Sequence, residues 1–410
     1  MRRAGSAKCA RALATGHVAR CDRLAGMNVE AVGVVGLGTM GAGIAEVLAR
    51  HAVDVVAVEI NEPLLTSGRN RIEKSLQRAV ERGRLSCEDQ DATLGRLQWT
   101  ADRRDLDRVD VVVEAVPERM ELKAALLHDL DEICAPHTVF ATNTSSLAVT
   151  ALAAETRRPG RVIGMHFFNP APVMKLVEVV RTVVADGDAL QGVLELAERC
   201  GKTPVVVDDR AGFIANALLF GYLNDAARMC ERQHATASAI DAAMSAAAGF
   251  PMGPLTLIDL IGLDVCLEVL EVMYDETRDA RYAPSPLLKR LVLAGRLGRK
   301  TGSGYYRYDA GEPQPALAFT VTSPLSVAER GSSSYIAETL LYPHLDDAVR
   351  MADDNYATPD DIDTAMRLGC GYPRGPFELL DEIGPKVVAD ALVRMGRTPS
   401  PLMQALPTAG

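Results

Sequence analysis

Between Ala141 and Val180 the chain sets a polar turn, a histidine and a glutamate among apolar runs. An Asn-Thr-Ser-Ser turn follows Val139–Ala141, His166 closes the run Val162–Met165, and Glu178 closes Leu176–Val177. If these runs are strands that end together, Ser145, His166 and Glu178 meet as a group able to move a proton and hold an oxygen. A lone His-Glu pair is better explained as a satisfied polar pair in a core. What surrounds it decides between the two.

Upstream, Gly36-Leu37-Gly38-Thr39-Met40-Gly41 follows the apolar run Val32–Val35 and opens a helix near Met40. In that context the first glycine allows a tight turn and the second lets backbone approach a pyrophosphate. The third lets helix pack on strand. The helix N-terminus then favours the phosphates. A second run, Asp54–Val58, ends in Glu59, whose carboxylate can accept ribose hydroxyls and repels a 2′-phosphate, so NAD is expected over NADP.

From Val32 onward, β-rich runs alternate with amphipathic stretches, which predicts a parallel sheet with helices on both faces. After Val205–Val207 the texture becomes Ala-, Leu- and Met-rich and helical. This second region repeats itself: Ile214-Ala215, Ala235-Thr236, Ile240-Asp241 and Gly253-Pro254 recur as Ile336-Ala337, Ala357-Thr358, Ile362-Asp363 and Gly375-Pro376, each 122 positions on. The expected organisation is an α/β Rossmann-type domain over 27–202, a helical domain over 203–308, a linker over 309–331 rich in Pro, Ser, Thr and Gly, and a second helical copy over 332–410. Residues 1–26, Ala- and Arg-rich with Asp22 as their one acid, read as a disordered or mis-assigned leader rather than a targeting segment.

Composition narrows the function classes. A formal net charge of -10 argues against nucleic-acid binding, so an anionic ligand needs its own basic pocket. The eight cysteines show no CxxC pairing, which argues against a disulfide framework or structural zinc and favours a reducing cytoplasm. No apolar run is long enough to span a membrane.

With the dinucleotide loop in place, the opening segment is recognisable. From Val32 onward the chain resembles the 3-hydroxyacyl-CoA dehydrogenase family, through GLGTMGAGIA at 36–45, VVEAVPERMELK at 112–123, ATNTSSL at 141–147, GMHFFNPAPVMKLVEV at 164–179, DRAGFIANALL at 209–219, GFPMGP at 249–254 and GRKTGSGYY at 298–306. The HFFNP and NTSSL elements are specific to that family, while the glycine loop is not. The resemblance implies that His166 is the acid/base, that Glu178 orients and charges it, that Ser145 contacts substrate and nicotinamide, and that Asn216 completes the site. It implies cofactor contacts at Gly36, Gly38, Thr39, Met40, Gly41, Glu59, Glu118, Lys123, Asn143, Ser145, Asn169 and Lys300, and coenzyme A contacts at Ser75 and Arg82. Glu59 stands where aspartate is more usual, and Arg82 where the family has lysine. No metal is expected.

The implied activity is NAD-dependent oxidation of an L-3-hydroxyacyl-CoA thioester, short-chain such as 3-hydroxybutyryl-CoA. Removing the hydroxyl proton as hydride leaves carbon 3 suits an imidazole backed by a carboxylate. Opposite Asn216 the second copy carries Glu338, so that copy is expected not to be a second active site. It reads as an intramolecular stand-in for a dimer partner, leaving a monomer with an internal pseudo-dimer, or else a homodimer. Two other functions compete. A β-hydroxyacid dehydrogenase acting on a free acid expects a lysine on the helix entering the second domain, but no lysine lies between Lys202 and Lys289. A catalytically idle dinucleotide-binding protein has no use for the set Ser145, His166, Glu178 and Asn216.

Overall fold

The computed structural model describes Met27 and residues 29–308, 313–316 and 332–406. The expected leader and most of the expected linker lie outside the described residues. The chain divides into two units, one up to Phe213 and one from Ile214 onward.

In the first unit, chain order gives β1 (Ala31–Val35), α1 (Thr39–Arg50), β2 (Asp54–Val58), α2 (Glu62–Glu81), α3 (Cys87–Leu94) and β3 (Leu97–Thr100). These are followed by β4 (Val111–Glu114), α4 (Met120–Ile133), β5 (Val139–Thr142), α5 (Val149–Ala154), β6 (Val162–Phe167), β7 (Leu176–Arg181), α6 (Gly187–Arg199) and β8 (Thr203–Asp208). The strands form one sheet in the order β3-β2-β1-β4-β5-β6-β7-β8. Its interior strands are apolar on both faces because helices cover both: Val32, Val34, Val111, Val113 and Val139 are buried on one face, and Val35, Val112 and Phe140 on the other. Each such side chain contributes roughly 1.5–3 kcal/mol relative to exposure.

The pairing is parallel throughout except between β6 and β7, which run antiparallel with His166 directly opposite Glu178. That register turns two residues distant in sequence into cross-strand neighbours on one face. The boundary expected at 202/203 needs correction. Thr203–Asp208 is a strand that pairs with β7 from Leu176↔Thr203 to Arg181↔Asp208, so the sheet continues past it. It is the outermost strand, with Val205 and Val207 buried but Val206 only partly so, and such a half-covered edge has a weak sequence signal.

The second unit is mainly helical. It holds α7 (Ala215–Glu231), α8 (Ala237–Ala248), α9 (Pro254–Ile261), α10 (Leu263–Thr277) and α11 (Pro286–Leu293). A short ribbon of β9 (Tyr306–Arg307) and β10 (Gln314–Pro315) follows. Then come α12 (Ser333–Asp353), α13 (Pro359–Cys370), α14 (Pro376–Ile383), α15 (Pro385–Arg394) and α16 (Pro401–Ala405).

The repeat is carried by equivalent caps. Asp241 accepts from the N–H groups of Leu255 and Thr256, and Asp363 from those of Phe377 and Glu378. Thr236 and Thr358 cap α8 and α13, which end at left-handed Gly249 and Gly371. Where the copies meet, the contacts are reciprocal. Arg281 pairs with Asp347 at 2.7 Å and Arg397 with Asp225 at 3.5 Å, each pair joining one copy to the other. Tyr222, Phe250, His344 and Tyr372 cluster beside them, and they are two pairs of repeat mates, Tyr222 with His344 and Phe250 with Tyr372.

Candidate active site

At the C-terminal ends of the central strands, the glycine loop joins β1 to α1. Gly36 has φ +89°, and a Cβ there would lie 2.8 Å from the Ala115 carbonyl oxygen. A Cβ on Gly41 would lie 1.7 Å from the Gly36 oxygen, so helix and loop pack there only without a side chain. Gly38 differs: a Cβ on it would meet nothing within 4 Å, and no side chain caps the helix it opens. Its open side and free helix N-terminus fit a diphosphate. The loop borders a cavity of about 620 Å³ lined by Gly36, Gly38, Thr39, Met40, Glu59 and Ile60 among others. Glu59 holds this edge in shape, its Oε1 accepting from Leu37 N–H at 2.7 Å and its Oε2 from Ile60 N–H at 3.0 Å. The residues present therefore fit the dinucleotide.

Across the sheet, His166 is 6% exposed and Glu178 fully buried, with His166 Nδ1 2.8 Å from Glu178 Oε2. Phe168 and Phe213 flank the imidazole at centroid distances of 4.5 and 5.6 Å. A buried carboxylate at 2.8 Å holds the imidazole strongly, so Glu178 fixes Nδ1 and leaves Nε2 as the working nitrogen.

The turn after β5 is tied to the same strand. Asn143 donates its N–H to the Glu114 carbonyl oxygen, and its Oδ1 accepts from Phe167 N–H at 2.8 Å, one residue beyond His166. Glu118 Oε1 accepts from Thr144 Oγ1 at 2.6 Å, from Ser145 N–H at 2.8 Å and from Ser146 N–H at 3.1 Å. Burial pushes the Glu118 carboxyl up, but Lys123 and these donors outweigh it and hold it below the ordinary range. Ser145, His166 and Glu178 are thus fixed by one network within the sheet unit.

The remaining expected residues are placed as follows. Lys123 is wholly buried, with Nζ at 2.8 and 2.9 Å from the two oxygens of Glu114. Asn169 lines a separate hollow of about 270 Å³ between α1, α2 and Ala171-Pro172. Ser75 lines it too, together with Arg71, Lys74 and Arg78, whereas Arg82 is exposed at the end of α2 and outside it. Asn216 stands in the first turn of α7 and Lys300 pairs with Asp264 at 2.6 Å, both in the helical unit.

Sequence reasoning missed Glu114, Thr144 and the cationic face of α2. Arg71, Lys74, Ser75 and Arg78 recur at helical spacing, a signal available in the sequence. An acid closing the apolar run Val111–Val113 was another, since such a group needs a buried partner.

Comparisons with known proteins agree with this geometry. The NAD binding domain of 3-hydroxyacyl-CoA dehydrogenase matches residues 31–210, and the C-terminal domain of the same family matches twice, at 212–308 and 335–407. A 3-hydroxybutyryl-CoA dehydrogenase of Mycobacterium tuberculosis is 47% identical over 282 residues, covering 68% of this chain and 99% of that protein. The 3-hydroxyadipyl-CoA dehydrogenase of Escherichia coli K12 is 35% identical, covering 87% of this chain and 92% of its own. Among solved structures, a 3-hydroxybutyryl-CoA dehydrogenase from Escherichia coli K12 superposes with a TM-score of 0.83 at 33% identity, over 92% of this chain and 98% of that one. A dinucleotide loop, an oriented histidine and a family match across both units lead to one conclusion: the chain belongs to the 3-hydroxyacyl-CoA dehydrogenase family and is an NAD-dependent oxidoreductase of hydroxyacyl-CoA thioesters.

Proposed function

We propose that His166 is the proton acceptor in oxidation of a short-chain L-3-hydroxyacyl-CoA, with Ser145 holding the 3-oxygen. The observation that carries this is the 2.8 Å bond from His166 Nδ1 to a fully buried Glu178. In that arrangement Nε2 takes the hydroxyl proton and Glu178 stabilises the resulting imidazolium. The Ser145 hydroxyl polarises the oxygen without adding a charge that competes for hydride. NAD, when bound, accepts the hydride; Gly36, Gly38 and Gly41 shape its diphosphate seat and Glu59 the adjoining edge. Run backwards, the same residues return the proton to a 3-ketoacyl thioester.

The coenzyme A phosphates are assigned to Arg71, Lys74, Ser75 and Arg78 rather than to Arg82, because these line the one hollow beside α2 that also includes Asn169. A free hydroxyacid has no use for that many cations. The buried Glu46 that shares the hollow sits at hydrogen-bonding reach of Ser75 and Arg50.

Oligomeric state and compartment are read from the chain as a whole. The reciprocal pairs Arg281–Asp347 and Arg397–Asp225 support a second copy that covers the face a single-copy relative uses for self-association. The protein is then a monomer. Cys87, Cys134, Cys200, Cys230, Cys266 and Cys370 are free thiols, and no helix among the described residues is long and apolar enough to cross a membrane. Both fit a cytoplasmic enzyme. The experiment that tests the substrate assignment is a kinetic panel of 3-hydroxyacyl-CoAs of increasing length, with hydroxyadipyl-CoA included. Highest kcat/KM on the four-carbon thioester is expected, and a preference for long chains or for the ω-carboxylate contradicts it.

A further inference from the structure

We propose that Asp209 and Phe213, at the two ends of the segment leaving β8, are positioning residues that brace the two halves of the proton site: Asp209 holds α5 behind the Ser145 turn, and Phe213 holds the ring of His166. This rests on the reading that His166 is the base and Ser145 contacts the substrate.

The inference begins with a strained residue. Five non-glycine residues among those described have positive φ: Ala52, Phe213, Gln233, Arg278 and Asn355. All but Phe213 stand within two residues of the end of a helix, where a left-handed residue closes the last turn. Phe213 closes no helix. It precedes α7, has φ +46°, follows Gly212 at φ +76°, and is 1% exposed. A bulky residue keeps such a backbone where its surroundings require it. Those surroundings include the His166 imidazole, with ring centroids 5.6 Å apart and planes at 56°.

That contact supplies what the Glu178 bond lacks. A hydrogen bond at Nδ1 fixes one atom of the imidazole and leaves the ring able to tilt about it. Phe168 also borders the ring, at 4.5 Å, but it lies two residues along the same segment and moves with it. Phe213 comes from a different element. Its N–H donates to the Arg210 carbonyl oxygen at 3.1 Å and closes the turn that carries it.

The other end of the segment is anchored as specifically. α5 begins after Ala148, whose side chain has no oxygen to cap it. Asp209 does so from far along the chain, its Oδ1 accepting from Val149 N–H at 3.0 Å and its Oδ2 from Thr150 N–H at 2.5 Å. Val149 is fully buried and lies against β6: a Cβ on Gly164, two residues before His166, would meet Val149 Cγ2 at 3.1 Å. α5 thus joins the Ser145 turn just upstream of it to the strand of His166. One short segment, Asp209–Phe213, grips both.

Two variants of the full chain test it, each close to the parent in size: Asp209→Asn and Phe213→Leu. Leu196→Ala, a buried change on α6, is the control for lost stability. The His166 Nδ1–H resonance and amide exchange at Val149 and Thr150 are followed by NMR in protein free of NAD and substrate. NAD Kd is measured by calorimetry, and kcat and KM for 3-hydroxybutyryl-CoA in steady state. Both variants are expected to shift or broaden the His166 resonance and to lower kcat at least about tenfold, with KM and NAD Kd within about threefold of the parent. Asp209→Asn should also speed exchange at the two amides about tenfold. Leu196→Ala should lower Tm and leave the resonance and kcat unchanged. An unmoved resonance in either variant overturns the proposal, as does a smaller loss of kcat. A loss of kcat that Leu196→Ala equals overturns it too, since it makes both residues merely structural. A larger change in NAD Kd places the effect on the cofactor and overturns it likewise. A parent that turns over no thioester tells against the substrate reading alone, since resonance and exchange are read without substrate.

Discussion

On the proposed mechanism, His166 and Glu178 are worth little to the fold and much to the reaction. Burying an imidazole and a carboxylate together costs solvation that their 2.8 Å bond only partly returns. As proposed, the return comes in catalysis, where a fixed Nδ1 leaves Nε2 ready for a proton. Glu178→Gln keeps the shape but removes the charge that stabilises the imidazolium. Its kcat is expected to fall by roughly 10²-fold, with NAD affinity unmoved, in steady-state and binding assays.

At the scale of elements, the proposal gives the dinucleotide to the glycine loop and the coenzyme A phosphates to α2. Gly41→Ala places a Cβ 1.7 Å from the Gly36 oxygen, so the loop must shift. A lowered Tm and NAD binding weakened by more than about tenfold are expected by thermal denaturation and calorimetry. Arg78→Ala should raise KM for a coenzyme A thioester about fivefold to tenfold and leave KM for the matching pantetheine thioester unchanged, while Arg82→Ala moves neither. An Arg82→Ala effect equal to that of Arg78→Ala contradicts the placement on α2.

These elements also mark what the sequence can disclose. Glycine spacing after an apolar run identified the loop, because close backbone approach leaves a residue-type signature. Equal spacing of Gly-Pro, Ile-Asp and Ala-Thr identified the two helical copies for the same reason, as caps are local. Pairings across the sheet leave no such trace. The antiparallel register that sets His166 opposite Glu178, the edge strand Thr203–Asp208, and the ion pair of Glu114 with Lys123 depend on which strand or helix lies beside which. Lys123 shows the difference most clearly. By resemblance it is a cofactor contact, and in the fold it is also the buried counter-ion of Glu114.

For the whole molecule, the helical unit joins two unequal copies of one design. Its aromatic cluster replaces the first copy's Tyr222 by His344 in the second, and full burial drives the His344 imidazole down to about 4. A neutral histidine is thereby favoured by folding. The contribution is intact above the unfolded value of about 6.5 and is lost as pH falls toward 4, up to about 3 kcal/mol. Denaturant titrations from pH 7 to pH 4 should show this loss in the parent and much less of it in His344→Phe. If the second copy stands in for a dimer partner, as proposed, light scattering of the full chain should give a monomer.

The central claim is that this chain oxidises a 3-hydroxyacyl-CoA with His166 as its base. NADH formation from L-3-hydroxybutyryl-CoA by the parent and by His166→Ala, with NAD affinity measured on both, tests it most directly. The account predicts an active parent and a variant that keeps the parent's NAD Kd but loses at least about 10²-fold in kcat. A parent that binds NAD and turns over no 3-hydroxyacyl-CoA, or a variant that stays as active as the parent, contradicts it.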